Sequence, residues 1–148
     1  MGGIESTSQG FQRTDKDSTE QTWGDDIRTV GSNVFRIGIL NIGGLSTERK
    51  GGKMEELRVY LTKLRLSVVG WNECNAHWKM VPTQYCLPER TRGWWECMHI
   101  NTAYFESYQS LSKHQVGGES LWSINDGAHR VMERSKDPRG LGRCAWTR

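Results

Sequence analysis

The sequence predicts an α/β fold, and three observations carry that expectation. They are an apolar strand pattern over Val34–Leu40, an amphipathic helix pattern over Gly52–Leu66, and a second short apolar run over Ser67–Trp71. Strand, helix and strand at this spacing argue for a βαβ-like unit whose strand ends share one edge.

In the first element Phe35, Ile37 and Ile39 share a face at period two, and most of the remaining residues are also apolar. That pattern predicts an inner strand with one face well buried. Asn41-Ile42-Gly43-Gly44 follows as a turn, because glycine opens backbone angles that a strand does not use. In the helix, Met54, Leu57, Leu61 and Leu64 recur at spacings of three and four, with Glu55, Glu56, Arg58 and Lys63 on the other side. Pro82, Pro88 and Arg92-Gly93-Trp94-Trp95 break any period between Asn75 and Trp95. This stretch reads as a long, partly ordered loop with a helical turn near His77–Met80. Met98–Tyr108 predicts one or two strands. Val116–Ile124 predicts another, with Gly117 and Gly118 at its entrance, where a backbone must approach something closely. His129–Arg134 and Arg143–Thr147 are further short strand candidates, separated by the turn-rich 137–142 segment.

Composition divides the chain. Hydrophobic residues make up 35% against 25% charged, with a mean hydropathy of −0.69, so the apolar content must be concentrated locally, and that concentration begins at Val34. Residues 1–33 are rich in Ser, Thr, Gln, Gly and Asp without periodicity, and predict a disordered tail. The tail holds three basic and six acidic side chains, a net −3; since the whole chain is +3, residues 34–148 carry +6. From His129 onward six Lys or Arg face two acids, which gathers positive charge towards the end.

No run approaches the roughly 18 apolar residues of a membrane span, and no apolar signal region opens the chain, so an intracellular (nuclear or cytoplasmic) location is expected. Gly2 and Ser6 fit a loose myristoylation pattern, but the acidic flank argues for a plain solvated start. Cys74, Cys86, Cys97 and Cys144 show no paired spacing. Buried or incidental reduced thiols are a better reading than a zinc site built from Cys74, His77, Cys86 and Cys97 or His99.

The residues that point to chemistry are Asn41 and Glu73, each placed just after an apolar strand. Functional side chains collect where strands of layered α/β folds end. An amide oxygen and a carboxylate are hard ligands suited to Mg2+ or Mn2+, ions that take few protein ligands and keep waters and phosphate oxygens. On the residues alone, the alternative stands that Asn41 caps a turn and Glu73 is merely solvated.

Phe35-Arg36-Ile37-Gly38-Ile39-Leu40-Asn41-Ile42-Gly43-Gly44-Leu45, a helix, then Ser67-Val68-Val69-Gly70-Trp71-Asn72-Glu73 resembles the opening of the endonuclease/exonuclease/phosphatase superfamily. The Gly117-Gly118 strand and Gly140-Leu141-Gly142-Arg143-Cys144-Ala145-Trp146 are similar to its retrotransposon endonuclease branch. The resemblance runs from about Val34 to the C-terminus. It implies a partial two-layer β-sandwich flanked by helices, the N-terminal half of such a domain, with Mg2+ at one end of the sheets and a phosphodiester cleaved by an activated water. Glu73 would be the metal carboxylate and Asn41 would position metal or phosphate. Ser67 and Asn72 depart from the family's usual Asp and Gln. Its later Tyr, Asp-x-Asn, Asp and Ser-Asp-His elements have no counterpart before Arg148; His129, inside a strand candidate, is no substitute. Weak or no activity of the chain alone is therefore expected.

Nucleic acid, DNA in particular, is the expected partner of the basic 34–148 region, with Arg90, Arg92, Arg139 and Arg143 as candidate phosphate contacts. Trp71, Trp78, Trp94 and Trp95 offer either stacking surfaces or packing. A non-catalytic nucleic-acid-binding remnant and a phosphatase of the same superfamily are the alternatives. A half sandwich would leave strand edges unpaired and an apolar face open, so poor solubility of the isolated chain is expected, with another chain or a further segment completing the fold.

Overall fold

The computed structural model describes residues 34–45, 47 and 52–148; the expected acidic tail lies outside them. In chain order the elements are β1 (Ile37–Asn41), α1 (Lys53–Leu64), β2 (Val68–Asn72), 3-10 turns at Trp78–Met80 and Thr83–Tyr85, α2 (Leu87–Arg90), β3 (Met98–Ala103), β4 (Glu119–Ile124), α3 (Asp126–His129), β5 (Arg134–Lys136) and β6 (Ala145–Thr147). A four-stranded mixed sheet has the order β1-β2-β4-β3, and β5 and β6 form a separate antiparallel pair. The α/β expectation holds. β1 and β2 pair in parallel, from Ile37 opposite Val68 to Asn41 opposite Asn72, so the two strands end at one edge, as a βαβ unit requires.

The core lies on one face of the sheet. Val69 pairs with Trp122, which puts both on the side that also carries Trp71 and Ile124. These four join Met54, Leu57 and Leu61 of α1 in one buried cluster, which fulfils the helix's apolar stripe. The Trp71 and Trp122 rings meet edge to face at 5.3 Å, and Trp94 extends the stack to Trp122 at 6.4 Å. Aromatic packing of this kind adds about 0.5–1.5 kcal/mol per pair beyond the area buried. α1 stops at Leu64 because Arg65 takes a left-handed conformation (φ 50°) and its N–H donates back to the Thr62 carbonyl.

The opposite face overturns one expectation. β1 is an edge strand, and Ile37 and Ile39 are 67% and 72% exposed. Among the described residues only the β3–β4 half of this face is covered, by the β5–β6 pair. Asn101 anchors that cover, its side-chain amide donating to the Ser135 and Trp146 carbonyls at 2.5 and 3.0 Å. Period-two alternation correctly assigns Ile37 and Ile39 to one side, but alternation alone does not say what packs there.

A second correction concerns His129. Residues 126–129 form α3, and the next strand begins only at Arg134. Asn125 turns the chain at φ 46°, and Gly127 then passes the Ser67 carbonyl so closely that a Cβ would lie 2.1 Å from its oxygen. A glycine required by backbone contact there is invisible to hydrophobic periodicity. Among the described residues no helix is long and apolar enough to cross a membrane.

Candidate functional site

Parallel pairing carries on past the ends of β1 and β2. The Ile42, Gly44 and Leu45 N–H groups donate to the Asn72, Glu73 and Cys74 carbonyls at 3.0, 2.7 and 2.7 Å. Asn41 and Glu73 therefore leave the sheet at the same end of adjacent strands. Both side chains are exposed.

The backbone at this edge is unusual. Glu73 and Asn75 adopt φ values of 55° and 51°, left-handed positions that cost a non-glycine residue about 1–2 kcal/mol each. The two turns expose Glu73 and bury Cys74 between them. The strain is held by backbone pairing: Cys74 and Asn75 N–H groups donate to the Gly118 and Gly117 carbonyls at 3.1 and 2.7 Å, and Asn75 Oδ1 accepts the Gly117 N–H at 2.8 Å. Gly117 and Gly118 carry φ values of 84° and 81°, and a Cβ at Gly118 would sit 3.2 Å from the Ala103 carbonyl. The close approach expected of this glycine pair is thus made by Gly118, to the end of β3, while a Cβ at Gly117 would meet open space. Strained non-glycine residues held in place by surrounding structure cluster at functional positions.

Asn41 does cap its turn, Oδ1 accepting the Gly43 N–H at 2.9 Å. That bond uses one of the carbonyl's two lone pairs. Ser67, where the resembled pattern has Asp, accepts the Arg36 N–H through Oγ at 3.3 Å and so joins β1 to β2 at their other end.

Two residues absent from the sequence-based candidates complete the edge. Glu119 pairs with Asn72 in register, placing Asn41, Asn72 and Glu119 on one face in a row across three strands. Burial pushes its carboxyl above the usual range, while the Ala145 N–H partly offsets that shift. Burial, helped by the Glu119 charge, also pushes the Cys74 thiol up to about 12, so it is a protonated, inert group rather than a nucleophile. The second is Lys53, the first residue of α1, whose ammonium donates to the Ile42 and Gly44 carbonyls at 2.5 and 2.6 Å. A cation at a helix N-terminus opposes the helix dipole, and that mismatch in the sequence was the available signal.

Lys53 clamps the turn that follows Asn41. Lys53→Met is expected to lower stability by about 2 kcal/mol, the scale of charge-assisted hydrogen bonds lost from part-buried carbonyls. Urea denaturation checks this, and an unchanged midpoint would count against the clamp.

The four arginines do not converge. Arg139 and Arg143 lie in the segment between β5 and β6, where the Gly140 carbonyl accepts the Glu106 N–H just beyond the end of β3, at the same end of the sheet as Asn41 and Glu73. Arg90 and Arg92 lie at the other end: Arg92 shares a small cavity with Met98 and Ile100 of β3, and its guanidinium pairs with Glu89 at 2.5 Å. Of the tryptophans, Trp71 and Trp78 are buried in the core, whereas Trp94 and Trp95 are partly exposed and stack on each other. Among the described residues no three His, Cys, Asp or Glu side chains gather into a metal cluster. A cavity of about 460 Å³ between Leu61, Arg65, Trp95 and Asp126 opens at the far end of the sheet from Asn41.

Comparison of the chain with protein-family models, with curated proteins and with solved structures finds no match.

Proposed function

We propose that this domain is a divalent-metal-dependent phosphodiesterase acting on nucleic acid, of the endonuclease/exonuclease/phosphatase type. The observation that supports the reading is the β1–β2 register, which pairs Asn41 with Asn72, so that Glu73 follows one residue on at the same end of the sheet. A carboxylate and an amide oxygen suit Mg2+ or Mn2+, which need only one or two protein ligands beside water and phosphate. In this reading the exposed Glu73 carboxylate holds the ion. Asn41 Oδ1 presents its remaining lone pair to the ion or to an ion-bound water. The ion, when bound, supplies Lewis-acid stabilisation of charge developing on the phosphoryl oxygens and leaving group.

Binding without turnover is the second reading, favoured by the cationic lining of a pocket beside Asn41, which needs no metal to attract a phosphodiester. Incubation with supercoiled plasmid and Mg2+ separates the two. Nicking that EDTA abolishes is the result expected of the phosphodiesterase. Salt-sensitive DNA binding with no nicking would establish the second reading, and release of phosphate from a small monoester would redirect the assignment to a phosphatase.

A further inference from the structure

We infer that a cavity of about 340 Å³ beside the β1 turn is a phosphate subsite that seats the backbone of a bound nucleic-acid strand next to the Asn41–Glu73 edge. Its walls come from three directions: Gly43 and Gly44 after β1, Lys53 at the start of α1, and Lys113 and His114 opposite, with Asn75 beneath. Among the described residues no acidic side chain lines it. Lys53 donates to two neutral carbonyls, and among the described residues neither Lys53, Lys113 nor His114 makes an ion pair. Two ammonium groups and an imidazole around a concave site create a local positive potential that an anion relieves.

The position follows from the fold. An isolated antiparallel bridge joins Ala76 to His114, and the His77 N–H donates to the Lys113 carbonyl at 2.9 Å. This pairing fixes Lys113 and His114 beside the strained strap that carries Glu73. Gly43, which donates to Asn41 Oδ1, is itself a wall of the cavity, so the pocket and the candidate metal edge share a turn. A phosphodiester is favoured over a lone phosphate ion because the site is a shallow, open cavity, which leaves room for the chain to continue. The choice of ligand rests on the phosphodiesterase reading.

The test uses the full chain, in EDTA so that no metal chemistry contributes, and a fluorescent 20-mer DNA duplex titrated at several salt concentrations. Lys113→Gln/His114→Gln is expected to weaken binding and to reduce the slope of log K against log salt by about 1, as loss of one phosphate contact should. Lys63→Gln, in the last turn of α1 at the opposite end of the sheet, is expected to leave the slope unchanged, and an unaltered thermal midpoint for both variants shows that folding is intact. Equal slopes for the double variant and the unsubstituted chain would overturn the inference, as would inorganic phosphate binding at this pocket in a chain that ignores the duplex. Because the readout is binding, a chain that never nicks plasmid still satisfies it, and one that nicks while the double variant binds normally refutes it.

Discussion

Glutamine in place of Glu73 is expected to cut Mg2+-dependent nicking by at least about 100-fold, while duplex binding measured in EDTA stays within about twofold. Substitutions in residues that only support metal ligands cost about 10–100-fold, so loss of the proposed carboxylate ligand itself should cost no less. The substitution is nearly isosteric and the side chain is exposed, so the strained backbone at Glu73 has no reason to rearrange. Asn41→Ala should fall less steeply in rate but also lower stability slightly, because it removes the acceptor for the Gly43 N–H. Equal activity of Glu73→Gln and the unsubstituted chain would remove Glu73 from the chemistry.

The second large effect is on folding. Trp122→Ala is expected to destabilise the domain by about 4 kcal/mol, towards the upper range for truncating a buried aromatic. Trp122 is fully buried, sits at the register position opposite Val69, and contacts both Trp71 and Trp94. Its indole N–H donates to Ser120 Oγ at 2.7 Å, a bond that leaves with it. Against a total stability of about 5–15 kcal/mol for a domain, such a loss is read directly in a denaturation curve. Trp122→Phe should recover part of it by restoring ring area. A fall of less than about 1 kcal/mol for the alanine variant would mean that the aromatic stack is not the centre of the core.

The elements that were legible in the sequence are those whose signal is local. The Met54–Leu57–Leu61 stripe specified α1, and the apolar runs on either side specified β1 and β2 with their shared edge. The close approach expected at the strand entrance is made by Gly118 alone, whereas Gly117 answers to its positive φ and not to a neighbour. What stayed hidden depends on tertiary partners. Ile37 and Ile39 announce an apolar face, yet the β5–β6 pair stops short of covering them. α3 was missed because it is four residues long and its glycine answers to the Ser67 backbone, not to a helical period.

The candidate site divides in the same way. Asn41 and Glu73 stood out by their places at strand ends, and the register, which pairs Asn41 with Asn72, brings both to the same end of the sheet. Lys113 and His114 were silent, since isolated basic residues carry no motif and meet Lys53 only after Ala76 pairs with His114. Arg90 and Arg92 are the converse: conspicuous in the sequence, but set at the other end of the sheet.

Whether Asn41 and Glu73 share a cation is tested most directly by paramagnetic relaxation. Titrating Mn2+ into the isotope-labelled chain should first broaden the amide signals of residues 41–44 and 73–75. Excess Mg2+ should restore them, and Glu73→Gln should show no such broadening. Broadening centred instead on the exposed Glu55 and Glu56 of α1, or spread evenly over the surface, would contradict the account.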